Sequence, residues 1–388
     1  MGKFVRSITP TDVLGFSRLG VDATIGMAGV VEAMHQSIAG SPLARVAAVA
    51  YAPVRAIAKL VGHGMDAAIT PFIEMAGETQ PSPEREAMLA AVNGILGDHL
   101  AATENPLAIP MRLRRYGQPI SLQRRDLQTA RWRPGGKVLI LVHGLCMNDL
   151  QWKRRGRDRA AALAEDLGWT PLHLHYNSGL HISTNGRGFA ELMEILLEQW
   201  PVPVRDITIV GHSSGGLLSR SAYHHGTTAG HRWPRRVRNL VFLGTPHHGS
   251  ALERLGNLLN VGLGLSRYSA PLARIASIRS AGITDLRYGY LLDEDWRGSD
   301  RFRHSADGRQ PVPLPKRVRC FTFAASIDRN HAIGDGLVSV DSALGRHQDP
   351  SLTLAFAARN QWIGHGLNHS DLLDHPAVYK RLRSWLAS

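Results

Sequence analysis

The stretch "TIVGHSSGGLL", from Thr208 to Leu218, constrains the fold more than any other part of the chain. An apolar run stops at Gly211, and two serines lie among glycines before apolar residues resume. The segment from Gly211 to Gly215 fits G-x-S-x-G, in which a strand turns sharply into a helix with a serine at the bend. Side chains at Gly211 and Gly215 would collide across such a bend, and the first N–H groups of the helix would face developing negative charge. The pattern predicts a strand, a strained turn at Ser213 and a helix, with a merely polar turn as the alternative.

Strand and helix patterns alternate on both sides of this turn. Continuous apolar runs such as "KVLILVHG" are typical of parallel strands that are buried on both faces. Helix patterns cover Asp158 to Gly168, residues 187–200 and the segment that begins at the two serines. This alternation predicts an α/β fold with a doubly wound, mostly parallel sheet and right-handed crossovers. The other predicted strands are "PLHLHY", "DITIVG", "VRNLVFLG", "VRCFTFAAS" and "LTLAFAAR".

A basic segment precedes the first of these strands. In "MRLRRYGQPISLQRR", apolar and basic residues alternate around a turn from Tyr116 to Pro119, which is typical of a hairpin of edge strands. Charged edge strands resist edge-to-edge aggregation, and this is the interpretation we prefer. Binding of a polyanion is the alternative, although no nucleic-acid motif accompanies the arginines.

Residues 1–108 lack clear strand patterns, and we interpret them as an N-terminal helical section. Leu43 to Val61 has an apolar helical face with basic residues opposite, which suits packing on a domain or contact with an anionic membrane. Ser82 and Pro83 are typical of the cap and the first position of a further helix. Its predicted apolar face comprises Met88, Leu89, Val92, Ile95 and Leu96.

Residues 109–388 form the predicted α/β domain. Within it, residues 251–316 separate two predicted strands and are too numerous for a structureless loop. Their leucine-rich runs predict a helical insertion, which would serve as a lid or cap if it lies above an active site.

The composition narrows the classes of partner. The 388 residues carry a formal net charge of +13, from 45 basic and 32 acidic side chains, which suits anionic partners, although many proteins of basic composition have none. If there is such a partner, an anionic membrane surface is the candidate rather than nucleic acid, because no nucleic-acid motif is present. Two cysteines provide no disulfide framework, and we find neither a secretory signal nor a membrane-spanning apolar run. We therefore expect a cytoplasmic protein, with peripheral membrane contact as an extension of that expectation.

A serine nucleophile needs a base and an acid that orients the base. Asp335 lies between two glycines just after a predicted strand and is the preferred acid, with Asp341 as the alternative. His369 precedes the last helix and is the preferred base, with His365 as the alternative. The chain order of serine, acid and histidine is the one that this type of sheet requires.

An oxyanion hole requires two backbone N–H donors. One should come from Ser214, directly after the nucleophile, and the other from Leu145, in the loop that follows the "VLILV" strand. We expect His143 to brace that loop and His143, His212 and His247 to contact substrate. A metal site is not expected, because the pairs His173/His175 and His224/His225 have no carboxylate or cysteine at ligand spacing.

The motifs "VHGL", "GHSSGG", "LGTPHHGS", "GDGLVS" and "NHSDLL", taken in this order, resemble α/β-hydrolases of the lipase and esterase group. The resemblance is strongest to the bacterial lipase-like and GPI-inositol-deacylase-like branch, and it covers about Ile109 to Ser388. It implies a carboxylic ester hydrolase with Ser213, Asp335 and His369 as its triad, Leu145 and Ser214 as oxyanion donors, and no cofactor. An acyltransferase or thioesterase shares every one of these motifs, and a non-catalytic module that binds a membrane or a partner is a further alternative. The helical section is not part of the resemblance.

Overall fold

The computed structural model describes residues 9–39, 55–61, 63, 65–66, 69, 82–250, 279–298, 300–302, 306–329 and 334–387. Its strands are β1 Arg112–Arg115, β2 Gln118–Pro119, β3 Lys137–Val142, β4 Lys153–Arg154, β5 Arg157–Asp158, β6 Thr170–His175, β7 Asp206–His212, β8 Val237–Leu243, β9 Arg319–Ser326 and β10 Gln361–His365. Eight of them form the central sheet in the order β10-β9-β8-β7-β3-β6-β1-β2, and β4 pairs with β5 in a separate hairpin. In the central sheet β3 and β6 to β10 run parallel, whereas β1 is antiparallel to β6 and to β2. This confirms the predicted doubly wound, mostly parallel sheet.

Helices cover both faces of the sheet. They are α1 Pro10–Ala39, α2 Pro83–Ala102, α3 Arg124–Thr129, α4 Arg159–Leu167, α5 Ile182–Gln199, α6 Ser214–Thr228, α7 Ala281–Asp285, α8 Val340–Ala343 and α9 Pro376–Ala387. Helices α5 and α6 contribute Phe189 and Leu218 to one apolar cluster with the sheet. Helices α4 and α9 contribute Leu163 and Trp385 to another. Parallel strands covered on both faces must be apolar throughout, which explains the continuous runs in the sequence.

Local signals in the sequence set several element boundaries. The turn between β1 and β2 has positive φ at Tyr116 and Gly117, the conformation that a two-residue hairpin turn needs. Ser82 caps α2 by accepting from the N–H of Arg85, and Pro83 is its first residue, as predicted. Asp158 caps α4 by accepting from the N–H of Ala161.

The last strand is not the one predicted. Residues 352–357, in "LTLAFAAR", pair with no strand in the described part of the chain, and β10 is formed by Gln361–His365 instead. Leu354 and Phe356 are buried in the main core, so the alternating pattern arises from an extended segment whose side chains pack while its backbone stays outside the sheet. Apolar alternation reports burial and not backbone pairing, which explains the error.

The apolar face predicted for α2 is also only partly correct. Leu89 is buried, but Ile95 is 43% exposed, and most of the buried residues are small or polar: Glu86, Ala90, Asn93, Gly94 and Gly97, with Leu100 at the end. Glycines on this face let the helix approach two loops of the sheet domain closely. A Cβ at Gly94 would lie 2.8 Å from the Cα of Cys146, and the amide of Asn177 donates to the carbonyl of Gly97 at 2.8 Å.

Helix α2 also contacts two residues of the predicted insertion. The hydroxyl of Ser280 donates to the carbonyl of Gly94 at 2.6 Å, and Asp98 forms an ion pair with Arg301 at 2.5 Å. The leucine-rich run of the predicted lid, within residues 251–278, and residues 43–54 of the predicted amphipathic helix lie outside the described residues. The domain boundary at residues 108 and 109 and the role of a lid stay predictions.

Among the helices of the described part of the chain, none has both the length and the apolar character needed to cross a bilayer.

Candidate active site

Ser213 lies at the bend between β7 and α6. Its backbone has φ 55° and ψ −129°, a strained conformation for a residue with a side chain. Its N–H donates to the carbonyl of Leu243 at 2.8 Å, which fixes the bend against β8. A Cβ at Gly211 would lie 2.6 Å from the carbonyl oxygen of Gly215, and one at Gly215 would collide with backbone carbonyls at the end of β3. The bend therefore needs glycine on both sides of the serine.

Asp335 and His369 come together at the carboxyl ends of β9 and β10. The carboxylate of Asp335 lies 2.6 Å from Nδ1 of His369, and its other oxygen accepts from the N–H groups of Leu337 and Val338. The N–H of His369 also donates to the carbonyl of Asp335 at 3.0 Å. The loop is tight enough to place Gly334 and Gly336, on either side of the acid, at positive φ. Both side chains are buried, so the carboxylate holds the ring in one orientation.

The ring orientation leaves Nε2 of His369 without a hydrogen-bond partner among the described residues. Because Nδ1–H donates to Asp335, Nε2 carries the lone pair and can accept a proton. The alternatives named from the sequence lie elsewhere: Asp341 is exposed on α8 and pairs with Arg346 at 3.4 Å, and His365 ends β10.

The loop after β3 lies directly against the bend. A Cβ at Gly144 would be 2.9 Å from the Cβ of Ser213. Neither Leu145 nor Ser214 donates its backbone N–H to an acceptor in the described part of the chain. Cys146 has φ 58° and donates its N–H to the hydroxyl of Ser178 at 3.1 Å. Burial raises the pKa of the Cys146 thiol, which disfavours the thiolate that a nucleophile requires.

The three histidines expected to contact substrate lie below and beside this site. The ring of His143 stacks on Tyr176 at 4.3 Å and is 0% exposed, and burial lowers its pKa to about 3. His212 has its Nε2 3.2 Å from the carbonyl of His369, and burial lowers its pKa well below the usual value. His247 is buried next to Arg220, whose Nη1 lies 3.3 Å from its Nδ1. Burial lowers the pKa of all three rings, which favours their neutral forms, and substrate contact by any of them stays a prediction.

A buried ionic network near the loop was not found from the sequence. Arg114 of β1 reaches Glu86 of α2 at 2.5 Å and Asp149 at 3.2 Å, and His175 of β6 lies 3.4 Å from Asp149. Each of these side chains is at most 6% exposed. The four residues are spread over ninety positions of the chain, and the only sequence signal was the His173/His175 pair on one strand.

The network also contains the set of side chains best suited to a metal ion within the described residues. Ligand atoms of Glu86, Asp149 and His175 lie within 4.8 Å of one another. Nη1 of Arg114, however, contacts both carboxylates and supplies the positive charge that a metal would provide. An internal ion network fits this donor set better than a metal site.

Comparison with known proteins agrees with the topology. The family model of the PGAP1-like alpha/beta domain matches residues 189–313, which include the bend at Ser213 and the two strands beside it. The match covers less than half of the chain and shows the likeness of that part alone. The search of the curated proteins found no match.

Several solved structures resemble parts of the chain at low sequence identity. The mature form of a lipase from Bacillus licheniformis is 20% identical, with 66% of this chain and 94% of that chain covered and a TM-score of 0.42. An α/β-hydrolase superfamily protein from Enterococcus faecalis is 18% identical, with 65% and 90% covered and a TM-score of 0.36. An esterase from Pyrobaculum calidifontis is 12% identical, with 66% and 75% covered and a TM-score of 0.36.

Proposed function

We propose that this protein is an α/β-hydrolase that cleaves carboxylic esters through Ser213, His369 and Asp335. The observation that carries the proposal is the 2.6 Å contact between Asp335 and His369, made at the same edge of the sheet as the strained bend of Ser213. An acid fixed on one nitrogen of a histidine, with the other nitrogen open, is what a serine nucleophile needs.

The reaction follows from these roles. Nε2 of His369 takes the proton of the Ser213 hydroxyl while the oxygen attacks the ester carbonyl carbon. The N–H groups of Leu145 and Ser214 stabilise the resulting oxyanion. His369 then protonates the departing alcohol, which leaves an acyl group on Ser213. Water, deprotonated by His369, releases the carboxylic acid and restores the serine. The cycle consumes only ester and water and needs no cofactor.

The proposed substrate is an ester with a lipophilic acyl group. The basic surface and the leucine-rich sequence of residues 252–265 favour a lipophilic acyl ester that is presented at an anionic membrane. Co-sedimentation with liposomes of neutral and of anionic phospholipid tests this. Failure to bind even the anionic liposomes would remove the membrane from the proposal and leave the ester chemistry in place.

The first test is labelling of the purified protein with a fluorophosphonate, followed by turnover of p-nitrophenyl esters from acetate to palmitate. Ser213→Ala should abolish labelling and reduce kcat/KM by at least about 10³-fold, because nucleophilic catalysis is lost. Ser121→Ala, at an exposed position remote from the bend, serves as the matched control. Labelling that persists in Ser213→Ala would contradict the nucleophile assignment, and a folded wild type without any labelling would favour a binding module.

The same assay separates the hydrolase from related enzymes. Acyl thioesters in place of oxygen esters identify a thioesterase, and an added alcohol that captures most of the acyl group identifies an acyltransferase. Release of free acid as the main product from oxygen esters is the result that we expect.

A further inference from the structure

The loop that contains Leu145 is held at its start and at its middle by neutral contacts. The carbonyl of His143 accepts from the hydroxyl of Tyr176 at 2.8 Å, and the N–H of Cys146 donates to Ser178. Cys146 is also packed against Gly94 of α2. These contacts bear on the first part of the loop and leave its carboxyl end to other groups.

The carboxyl end of the loop is held by charge. Asp149 begins a short 3-10 helix that Asn148 caps, so its carboxylate sets the direction in which the loop leaves the site. That carboxylate accepts from Arg114 at 3.2 Å and lies 3.4 Å from Nδ1 of His175. Although burial alone would raise the pKa of Asp149, the contacts with His175 and Arg114 lower it to about 2. Asp149 is therefore a fixed anion at neutral pH.

Arg114 links Asp149 to the N-terminal helical section. Its Nη1 donates to Glu86 at 2.5 Å as well as to Asp149, so one guanidinium joins α2 to the loop. Arg85 lies 3.4 Å from the other oxygen of Glu86 and forms an ion pair with Asp12 of α1 at 2.6 Å. Glu86 thus lies between two guanidiniums, and each of these also pairs with a second carboxylate, Asp12 or Asp149. A buried charge that loses its partner is strongly unfavourable, so the geometry of the network is tightly determined.

We propose that Glu86, Arg114 and Asp149 are positioning residues that hold the Leu145 N–H in the geometry needed to bind an oxyanion. The inference rests on the proposed function, since it assigns a task to the oxyanion donor of that mechanism. It also gives α2 a role: the helix supplies Glu86 to the network and Gly94 to the packing of the same loop. None of the three side chains touches the reacting atoms.

The test uses two charge-neutralising variants of nearly unchanged shape, Glu86→Gln and Asp149→Asn, in the full chain. They come from different elements, so misfolding of one leaves the other available. Asp22→Asn is the matched control, because Asp22 pairs with His99 at 2.9 Å and also joins α1 to α2, but both side chains are about 40% exposed and neither belongs to the network around Glu86. Thermal melting of each variant establishes that it is folded.

Two readouts separate positioning from general stability. Hydrogen exchange of the amides at residues 145–148 reports whether the loop is still held. The ratio of kcat/KM for an ester and for its thionoester reports the oxyanion contact itself, because sulfur accepts hydrogen bonds from the N–H donors poorly. A correctly placed donor favours the oxygen ester, and a misplaced one loses that preference.

We expect faster exchange of the loop in both variants, a fall of about tenfold to a hundredfold in kcat with KM within about threefold, and a lower ester-to-thionoester ratio. Asp22→Asn should match the wild type in all three. Unchanged loop exchange in Glu86→Gln and Asp149→Asn would overturn the inference. Faster exchange with an unchanged ratio would also overturn it, because the loop would then not supply the oxyanion donor. Wild-type protein without Ser213-dependent turnover would instead reject the proposed function, and the exchange result would still decide whether the network holds the loop.

Discussion

The bend at Ser213 and the network around Glu86 both contact the segment that follows β3, yet the chain encodes them differently. The bend is local: Gly211, Ser213 and Gly215 specify it within five residues. The network is assembled from α2, β1, β6 and the loop after β3, and none of its members belongs to a short motif. A short motif can therefore be found from the sequence, whereas a cluster that only the tertiary fold assembles cannot.

The largest effect is expected from Asp335, which lies far along the chain from the Ser213 motif and contacts His369. Asp335→Asn keeps the shape of the acid but removes the charge that orients His369. We expect kcat to fall by about 10²–10⁴-fold, because the ring loses its fixed tautomer. Turnover of p-nitrophenyl esters measures the effect.

Asp341→Asn provides the control for that variant, since Asp341 is exposed and pairs with Arg346. Its activity should stay within about twofold of the wild type. If the two variants were equally impaired, the acid would have been assigned to the wrong loop.

Gly215 and Gly94 both lie where a Cβ atom would have no room. Gly215 belongs to the motif, whereas Gly94 lies on α2 in a sequence without any motif. A Cβ at either position would collide with backbone atoms of the same region of the fold. We expect Gly215→Ala and Gly94→Ala each to lower the free energy of unfolding by about 1–3 kcal/mol, through overpacking. Urea unfolding measures it.

Gly20→Ala is the matched control for these glycines, because nothing lies within 4 Å of a Cβ added there and the site is within α1. Alanine should stabilise that helix by up to about 1 kcal/mol. A neutral or stabilising Gly94→Ala would show that α2 does not pack tightly on the loop.

The sequence predicts most of the sheet because parallel strands buried on both faces are apolar throughout, and such runs are unmistakable in β3, β7 and β8. It fails at the edge, where Gln361–His365 carries no continuous apolar run and residues 352–357 show strand-like alternation without pairing. The buried face of α2 was missed for a similar reason. Glycines and Glu86 make its contacts, and a search for apolar periodicity detects neither glycines nor a buried carboxylate.

In the candidate site, Asp335 and His369 could be predicted from the sequence, whereas the partners of Arg114 could not. Chain order and loop position predict Asp335 and His369, because after a strand–serine–helix bend of this type the acid and then the histidine follow in the chain. The partners of Arg114 depend on which strands become neighbours, and β1 lies beside β6 only through tertiary pairing. A basic residue in a basic hairpin gave no sign that it would be buried between two carboxylates.

The smallest expected effect concerns His143, which contacts both regions: Tyr176 binds its carbonyl next to the bend, and its ring lies 6.4 Å from that of His175. Burial lowers its pKa to about 3, whereas an unfolded histidine titrates near about 6.5. Unfolding below pH 6.5 therefore takes up a proton at this site. The contribution to stability is fully present above that pH and falls by about 1.4 kcal/mol per pH unit as the pH drops towards 3.

His143→Gln should make the pH dependence of the unfolding free energy between pH 6 and 4 shallower by about that amount, whereas His63→Gln, at an exposed position, should leave it unchanged. An unaltered slope in His143→Gln would mean that the ring becomes protonated in the folded protein, and the loop would then have to tolerate a charge between the bend and the network.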